Sequence, residues 1–207
     1  MPDVGRDGVL VERDLELLRW LERLVGASLD QIRCRFGLGR TQAYRRMQVL
    51  CAKRLVHRQR VLAARPPLYG VSGRIIGPSG YEHGHAVSEL VVEREVAGAI
   101  VATDAELRRL RSAQGVLDAP LSGPDLDVFL GCPRTPDVIE VVEGGGVLAY
   151  EIELSSKGRA RREAILAAYA VSEYTEVEWI VPNARLAALL GVEIEEMGLN
   201  GFMTVRR

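Results

Sequence analysis

From residue 31 to residue 81 the chain contains neither aspartate nor glutamate, while eleven arginines or lysines lie between Asp30 and Glu82. A stretch without internal neutralisation calls for a polyanion, because each cation set against a phosphate releases condensed counterions and gains affinity without sequence-specific fitting. Lysine is scarce: Lys53 and Lys157 stand against 25 arginines, a bias that weakens any inference from arginine choice alone. Cys34, Cys51 and Cys132 are odd in number and lack CxxC spacing, which excludes a disulfide framework and structural zinc and leaves buried free thiols as the expectation. No run of about 18 apolar residues is present to span a bilayer, and the N-terminus lacks the apolar core of a secretory signal. A cytoplasmic protein without a membrane partner is the expectation. No GxxxxGK[ST] loop occurs, which speaks against an ATPase.

What is present divides by charge. Residues 1 to 75 hold 15 basic and 7 acidic side chains, net +8, and residues 76 to 207 hold 12 and 21, net -9, so an overall charge of -1 conceals two electrostatic objects. With 207 residues, 47% of them apolar, two small domains can each bury a core. The reading sets them at 1 to 80 and 81 to 207.

In the basic part, Leu17, Trp20, Leu21, Leu24 and Val25 recur at helical spacing over residues 14 to 25, and Gly26 can end that helix. Ser28 is positioned to cap a second helix through Phe36, with Leu29, Ile32 and Phe36 inward. Thr41 can cap a third, to about Arg54, whose Ala43, Met47, Leu50 and Cys51 form the inner face. LVHRQRVL and LYGVS, separated by ARPP, read as a hairpin. Three helices followed by a hairpin is the order of a winged helix-turn-helix. The run TQAYRRMQVLCAKRLVHRQRV with PPLYGVS resembles the third helix and wing of bacterial winged-helix DNA-binding domains. That resemblance implies double-stranded DNA as partner, with Arg40, Thr41, Gln42, Tyr44, Arg45 and Arg46 in the major groove. Arginine and glutamine suit bidentate contacts to guanine and adenine edges. Lys53 and Arg54 are expected on phosphates, and Arg58, Arg60 and Arg65 on the wing. A homodimer is admissible.

In the acidic part, helices are expected over residues 83 to 97, after Thr103 or Asp104, over KGRARREAILAAYAVSEY and over ARLAALL. Strands are expected at AIVA, PDLDVFL, VIEVVE, VLAYEIELS, EVEWIVP and FMTVRR, with Gly144 to Gly146 turning a hairpin. The class is mixed α/β. Strand alternation puts Glu151 and Glu153 on one face. Asp125, after Pro124, is the candidate to join them, and such hard oxygen ligands suit Mg2+ or Mn2+ for water activation in DNA cleavage. The PD and ExE pattern, with Glu89 upstream, resembles the restriction-endonuclease-like PD-(D/E)XK superfamily. This implies Asp125, Glu151 and Glu153 as metal ligands and, with Lys157, as catalytic residues. The superfamily's lysine position is here Glu153, and Lys157 lies four residues further. Arg159, Arg161 and Arg162 open a helix, where the dipole disfavours cations; a solvated helix end is the first expectation, and phosphate contact or pairing with Glu151 and Glu153 are the alternatives.

From about Asp14 to Pro182, the succession of winged helix, HGHAVSELVV, ATDAELRRLR, PDLDV and YEIELSSKGRARREAIL resembles the replication-relaxation family of actinobacterial plasmids, phages and integrative elements. It implies a DNA-associated role in replication, transfer or control of a mobile element. A duplex-DNA-binding regulator is therefore the first expectation. A Mg2+-dependent endonuclease or nickase, and a winged-helix adaptor that docks protein, are the alternatives.

Overall fold

Ser28 ends a short strand and starts a helix. Its Oγ accepts from Gln31 N at 3.3 Å while Gln31 Oε1 accepts from Ser28 N at 2.8 Å, a reciprocal cap that satisfies two otherwise orphaned donors. The computed structural model describes residues 9–71, 76–113, 132 and 134–207. Two units divide it, Met1–Val96 and Ala97–Arg207.

The first unit contains α1 (Glu12–Glu22), β1 (Ala27–Ser28), α2 (Leu29–Phe36), α3 (Arg40–Ala52), β2 (His57–Gln59), β3 (Leu68–Gly70) and α4 (Pro78–Val96). β3 is the middle strand, antiparallel to β1 on one side and β2 on the other, with Ala27 opposite Tyr69 and Arg58 opposite Tyr69. Leu17, Trp20, Leu21, Ile32, Ala43, Met47, Leu50 and Leu68 form the interior. α1 stops at Glu22 rather than at Gly26, and α3 is capped by Gly39, not by Thr41, which lies inside its first turn. α3 closes with Leu55 N on Leu50 O at 3.0 Å and Arg54 N on Cys51 O at 2.9 Å, a closure that holds Arg54 in the left-handed region at φ 58°.

α4 begins at Pro78, earlier than expected, since a proline fits a first turn whose N–H needs no partner. It lies against α2 and β1. Gly84 permits this: a Cβ there would come within 2.9 Å of Val25 Cβ. Ser88 Oγ then donates to Gly26 O at 2.7 Å. Glu95, near the helix end, accepts from Trp20 Nε1 at 2.9 Å, Arg23 Nη1 at 2.5 Å and Arg35 Nε. These contacts bind α4 into the first unit, so the divide falls after Val96 instead of after residue 80.

The second unit runs β4 (Ile100–Thr103), α5 (Asp104–Ala113), β5 (Val138–Val141), β6 (Val147–Ile152), α6 (Arg159–Ala170), β7 (Glu176–Ile180), α7 (Ala184–Glu196) and β8 (Met203–Arg206). The sheet order is β4-β5-β6-β7-β8, antiparallel through β6 and parallel thereafter. Gly144, Gly145 and Gly146 all have positive φ, which makes the β5–β6 turn. Leu107, Leu166, Tyr169, Leu190 and Ile194 from the three helices share one core with Ala149, Val177 and Trp179 of the sheet. The expected strand PDLDVFL lies outside the described residues. The architecture is thus mixed α and β, with seven helices and two sheets among the described residues. No described helix is long and apolar enough to cross a membrane. The thiols differ from expectation: Cys132 is buried, Cys51 half-buried and Cys34 exposed.

Candidate functional sites

α3 has two faces of different chemistry. Ala43, Arg46, Met47 and Leu50 point inward, spaced i, i+3, i+4 and i+7. Arg40, Thr41, Tyr44, Arg45 and Gln48 are exposed on the other side, and Gln42 is half-buried. Tyr44 Oη accepts from Gln48 Nε2 at 3.2 Å, one turn along. The side chains of Arg40 and Arg45 make no hydrogen bond or ion pair with another described residue.

Arg46 corrects the sequence reading. It is 7% exposed, its guanidinium is bound to the buried carboxylate of Asp14, and Nη2 donates to Val9 O at 3.2 Å. Burial pulls its pKa down. Asp14 also accepts from Val11 N at 2.6 Å, so this acid both starts α1 and holds α3. Arg46 is therefore a structural residue, unable to face a groove.

Arg58 lies on β2, across a cleft of about 420 Å³ from the start of α3. Arg40, Thr41, Tyr44, Arg58, Pro67 and Tyr69 line that cleft. Burial raises the Tyr69 pKa, and Arg58 opposes it by charge and hydrogen bonding. Lys53, Arg54, Arg60 and Arg65 are exposed. Arg60 reaches Ala63 O at 3.4 Å and Arg65 reaches Glu82 at 3.2 Å, both weak and solvated. The first unit thus sets Arg40 and Arg58 around one concave, partly aromatic surface that Asp30 also borders, with Arg45 exposed on the same helix outside it.

In the second unit, Glu151 on β6 and Glu153 just past its end both lie in buried surroundings, 3% and 2% exposed, so neither side chain is solvated. Glu151 accepts from Tyr169 Oη at 2.7 Å and from Arg134. Burial raises the Glu151 pKa and the charge of Asp137 adds to it; Arg134 and Tyr169 pull the other way without reversing it. Burial likewise pushes the Tyr169 hydroxyl up, helped by Glu151. Burial works against the Arg134 cation, but hydrogen bonding to Glu151 and its charge prevail and raise that pKa. Glu153 is held by Lys157 and accepts from Ser155 N at 3.3 Å. Lys157 therefore folds back onto Glu153. Arg162 supports that turn, donating to Lys157 O while gripping buried Glu193 through two nitrogens.

Asp137 is the residue that sequence reasoning missed. The β5–β6 register pairs Val138 with Tyr150, which sets Asp137 directly opposite Glu151 and on the same face. Asp137 Oδ2 accepts from Ile152 N at 2.8 Å. Pro136 precedes it, so residues 97 to 207 carry two Pro-Asp pairs, Pro124-Asp125 and Pro136-Asp137, and the register of β5 sets the second opposite Glu151. Asp125 lies outside the described residues. Glu89 belongs to the first unit, exposed and 3.9 Å from His85. Among the described residues no three acidic, histidine or cysteine side chains are grouped to hold a metal ion. As arranged, Glu151 and Glu153 each face a cation already, and that does not fit a bound Mg2+ or Mn2+.

Comparison with protein-family models, curated proteins and solved structures finds no match.

Proposed function

We propose that the chain is a sequence-specific duplex-DNA-binding protein that controls transcription or replication of a plasmid, phage or integrative element. One observation carries the reading. The outward stripe of α3 keeps Arg40, Thr41, Tyr44 and Arg45 exposed, while the inward arginine of the same helix is committed to Asp14. Supporting it, the order α1-β1-α2-α3-β2-β3 with β3 between β1 and β2 is that of a winged helix, in which α3 enters the major groove and the β2–β3 segment meets the backbone. Arg40 and Arg45 supply donors for base edges, Gln42 and Thr41 shorter contacts, and Lys53, Arg54, Arg58, Arg60 and Arg65 phosphate contacts. The mobile-element setting rests on the resemblance of YEIELSSKGRARREAIL to the replication-relaxation family.

Selection of duplexes from a random pool by the full chain, followed by anisotropy titration of the winner, tests the proposal. A defined site with steep salt dependence is expected. Uniform, weak binding to every duplex would sink it and favour the protein-docking adaptor.

A second reading is a metal-dependent nuclease, favoured by Asp137 lying opposite Glu151, with Asp137 taking the place first given to Asp125. It requires the Arg134 and Lys157 pairs to open. Cleavage of supercoiled or nicked DNA with Mg2+ or Mn2+, lost in Asp137→Ala and Glu151→Ala, would support it; intact DNA in both metals retires it.

A further inference from the structure

Three arginines open α6, where the positive end of the helix dipole disfavours them. Two have local reasons. Arg159 pairs with Glu163 and Glu196, each at 2.7 Å, and Arg162 with Glu193. Arg161 has none: its side chain makes no hydrogen bond or ion pair with another described residue, yet it is exposed in the first turn. It lines an open cleft of about 460 Å³ together with Arg108, Arg134 and Thr135, and the rest of the lining is Ala164, Ile165 and Ala168. The alanines leave room beside the guanidinium groups.

The other two arginines are fixed from behind. Arg108 Nε donates to Asp104 Oδ1 at 2.6 Å, and Arg134 donates to buried Glu151 while its guanidinium carbon lies 5.9 Å from the Tyr169 ring centre. A guanidinium carries five N–H donors, and each of these pairs uses only part of the fork. Arg134 Nε, shielded from solvent, has no hydrogen-bond partner among the described residues. Asp104 and Glu151 thus orient two of the three cations that border the cleft. Arg161 adds a charge that no neighbouring acid balances. Planar forks arranged about a concave wall suit a tetrahedral oxyanion.

We propose that this cleft of the second unit is a phosphate-binding site, separate from the α3 surface, in which Arg161, Arg108 and Arg134 grip one phosphate group. The phosphate is delivered by a nucleic-acid backbone or by a free phosphate compound. Only the first of these sources rests on the DNA reading given above.

The full chain is titrated with inorganic pyrophosphate by calorimetry and, separately, with a labelled duplex by anisotropy over a salt series. The variants are Arg161→Ala, Arg161→Glu and Arg108→Ala, compared with Arg40→Ala/Arg45→Ala. Wild-type protein is expected to bind pyrophosphate saturably, Arg161→Ala to weaken it about tenfold and Arg161→Glu further, as for loss of a charge-assisted hydrogen bond. Melting midpoints of the Arg161 variants should match wild type, because that side chain holds nothing in the fold. If the backbone is the source, Arg161→Ala also lowers the duplex salt slope by about 1, with Arg40 and Arg45 intact. A loss confined to pyrophosphate identifies a free phosphate compound. An Arg161 effect that persists while the Arg40/Arg45 variant binds duplex normally sinks the α3 reading and keeps this one. Unchanged affinity for both probes in both Arg161 variants, or no saturable pyrophosphate binding by wild type, overturns the proposal.

Discussion

The two units treat charge in opposite ways. In the first, Arg40, Arg45, Lys53 and Arg54 stand in solvent without a partner among the described residues, and acids enter chiefly to fix helices, as Asp14 and Glu95 do. In the second, Glu151, Glu153 and Glu193 are buried and each holds a cation. A side chain already engaged in a buried pair is expensive to recruit for binding, whereas a solvated one is available to a ligand at small cost. The difference explains why a count of basic residues does not identify a surface. Within α3 alone, Arg45 and Arg46 are adjacent in sequence and opposite in role.

That contrast is most severely tested at Arg46. Arg46→Ala leaves the Asp14 carboxylate buried without its cation and is expected to cost about 3–5 kcal/mol in urea unfolding, while Arg45→Ala stays within roughly 0.5 kcal/mol of wild type. Equal effects of the two would erase the distinction between inner and outer arginines. Replacing the pair together, Asp14→Leu with Arg46→Met, should recover most of the loss.

Next in size is the binding effect of the outer set. Arg40→Ala with Arg45→Ala should lower the salt slope for the selected duplex by about 2 and relax sequence preference, with the fold intact by circular dichroism. An unchanged slope would assign these arginines to solvent alone.

The second unit offers a pH test. Burial raises the folded pKa of Glu151 above its unfolded value, so the folded state binds this proton more readily. Its contribution to stability is complete below the ordinary carboxyl range and is lost as pH rises through the raised pKa. Wild type should therefore lose stability over that window, by at most about 1.4 kcal/mol per pH unit for one proton, and Glu151→Gln should flatten the slope. A wild-type curve that rises there instead would show that Arg134 outweighs burial. The smallest expected effect is at Arg54, whose left-handed backbone suits glycine. Arg54→Gly should gain up to about 1 kcal/mol in thermal unfolding while lowering the duplex salt slope.

Much of the first unit was readable from spacing and caps. Ser28 announces α2, and the ARPP break separates two strands that do pair. β1 was not readable, since two residues, Ala27 and Ser28, become a strand only because β3 lies beside them. For Arg46 the signal was present but overridden by charge: residues 43, 46, 47 and 50 share one helical face, and periodicity alone puts Arg46 inside. In the second unit the hairpin through Gly144 to Gly146 was legible, as was the strand-helix-strand passage through α6. That Asp137 meets Glu151 was not, because a Pro-Asp pair has the same local chemistry wherever it occurs and only the β5–β6 register sets Asp137 opposite Glu151. Arg162 and its partner Glu193 lie 31 residues apart, beyond the reach of local pattern.

The Asp14–Arg46 pair also bears on how such a protein changes over generations. It anchors α3 by a residue that takes no part in the proposed recognition, so Thr41, Tyr44, Arg45 and Gln48 can be exchanged without disturbing the interior. Drift in the face proposed for recognition is thereby decoupled from drift in whether the chain folds.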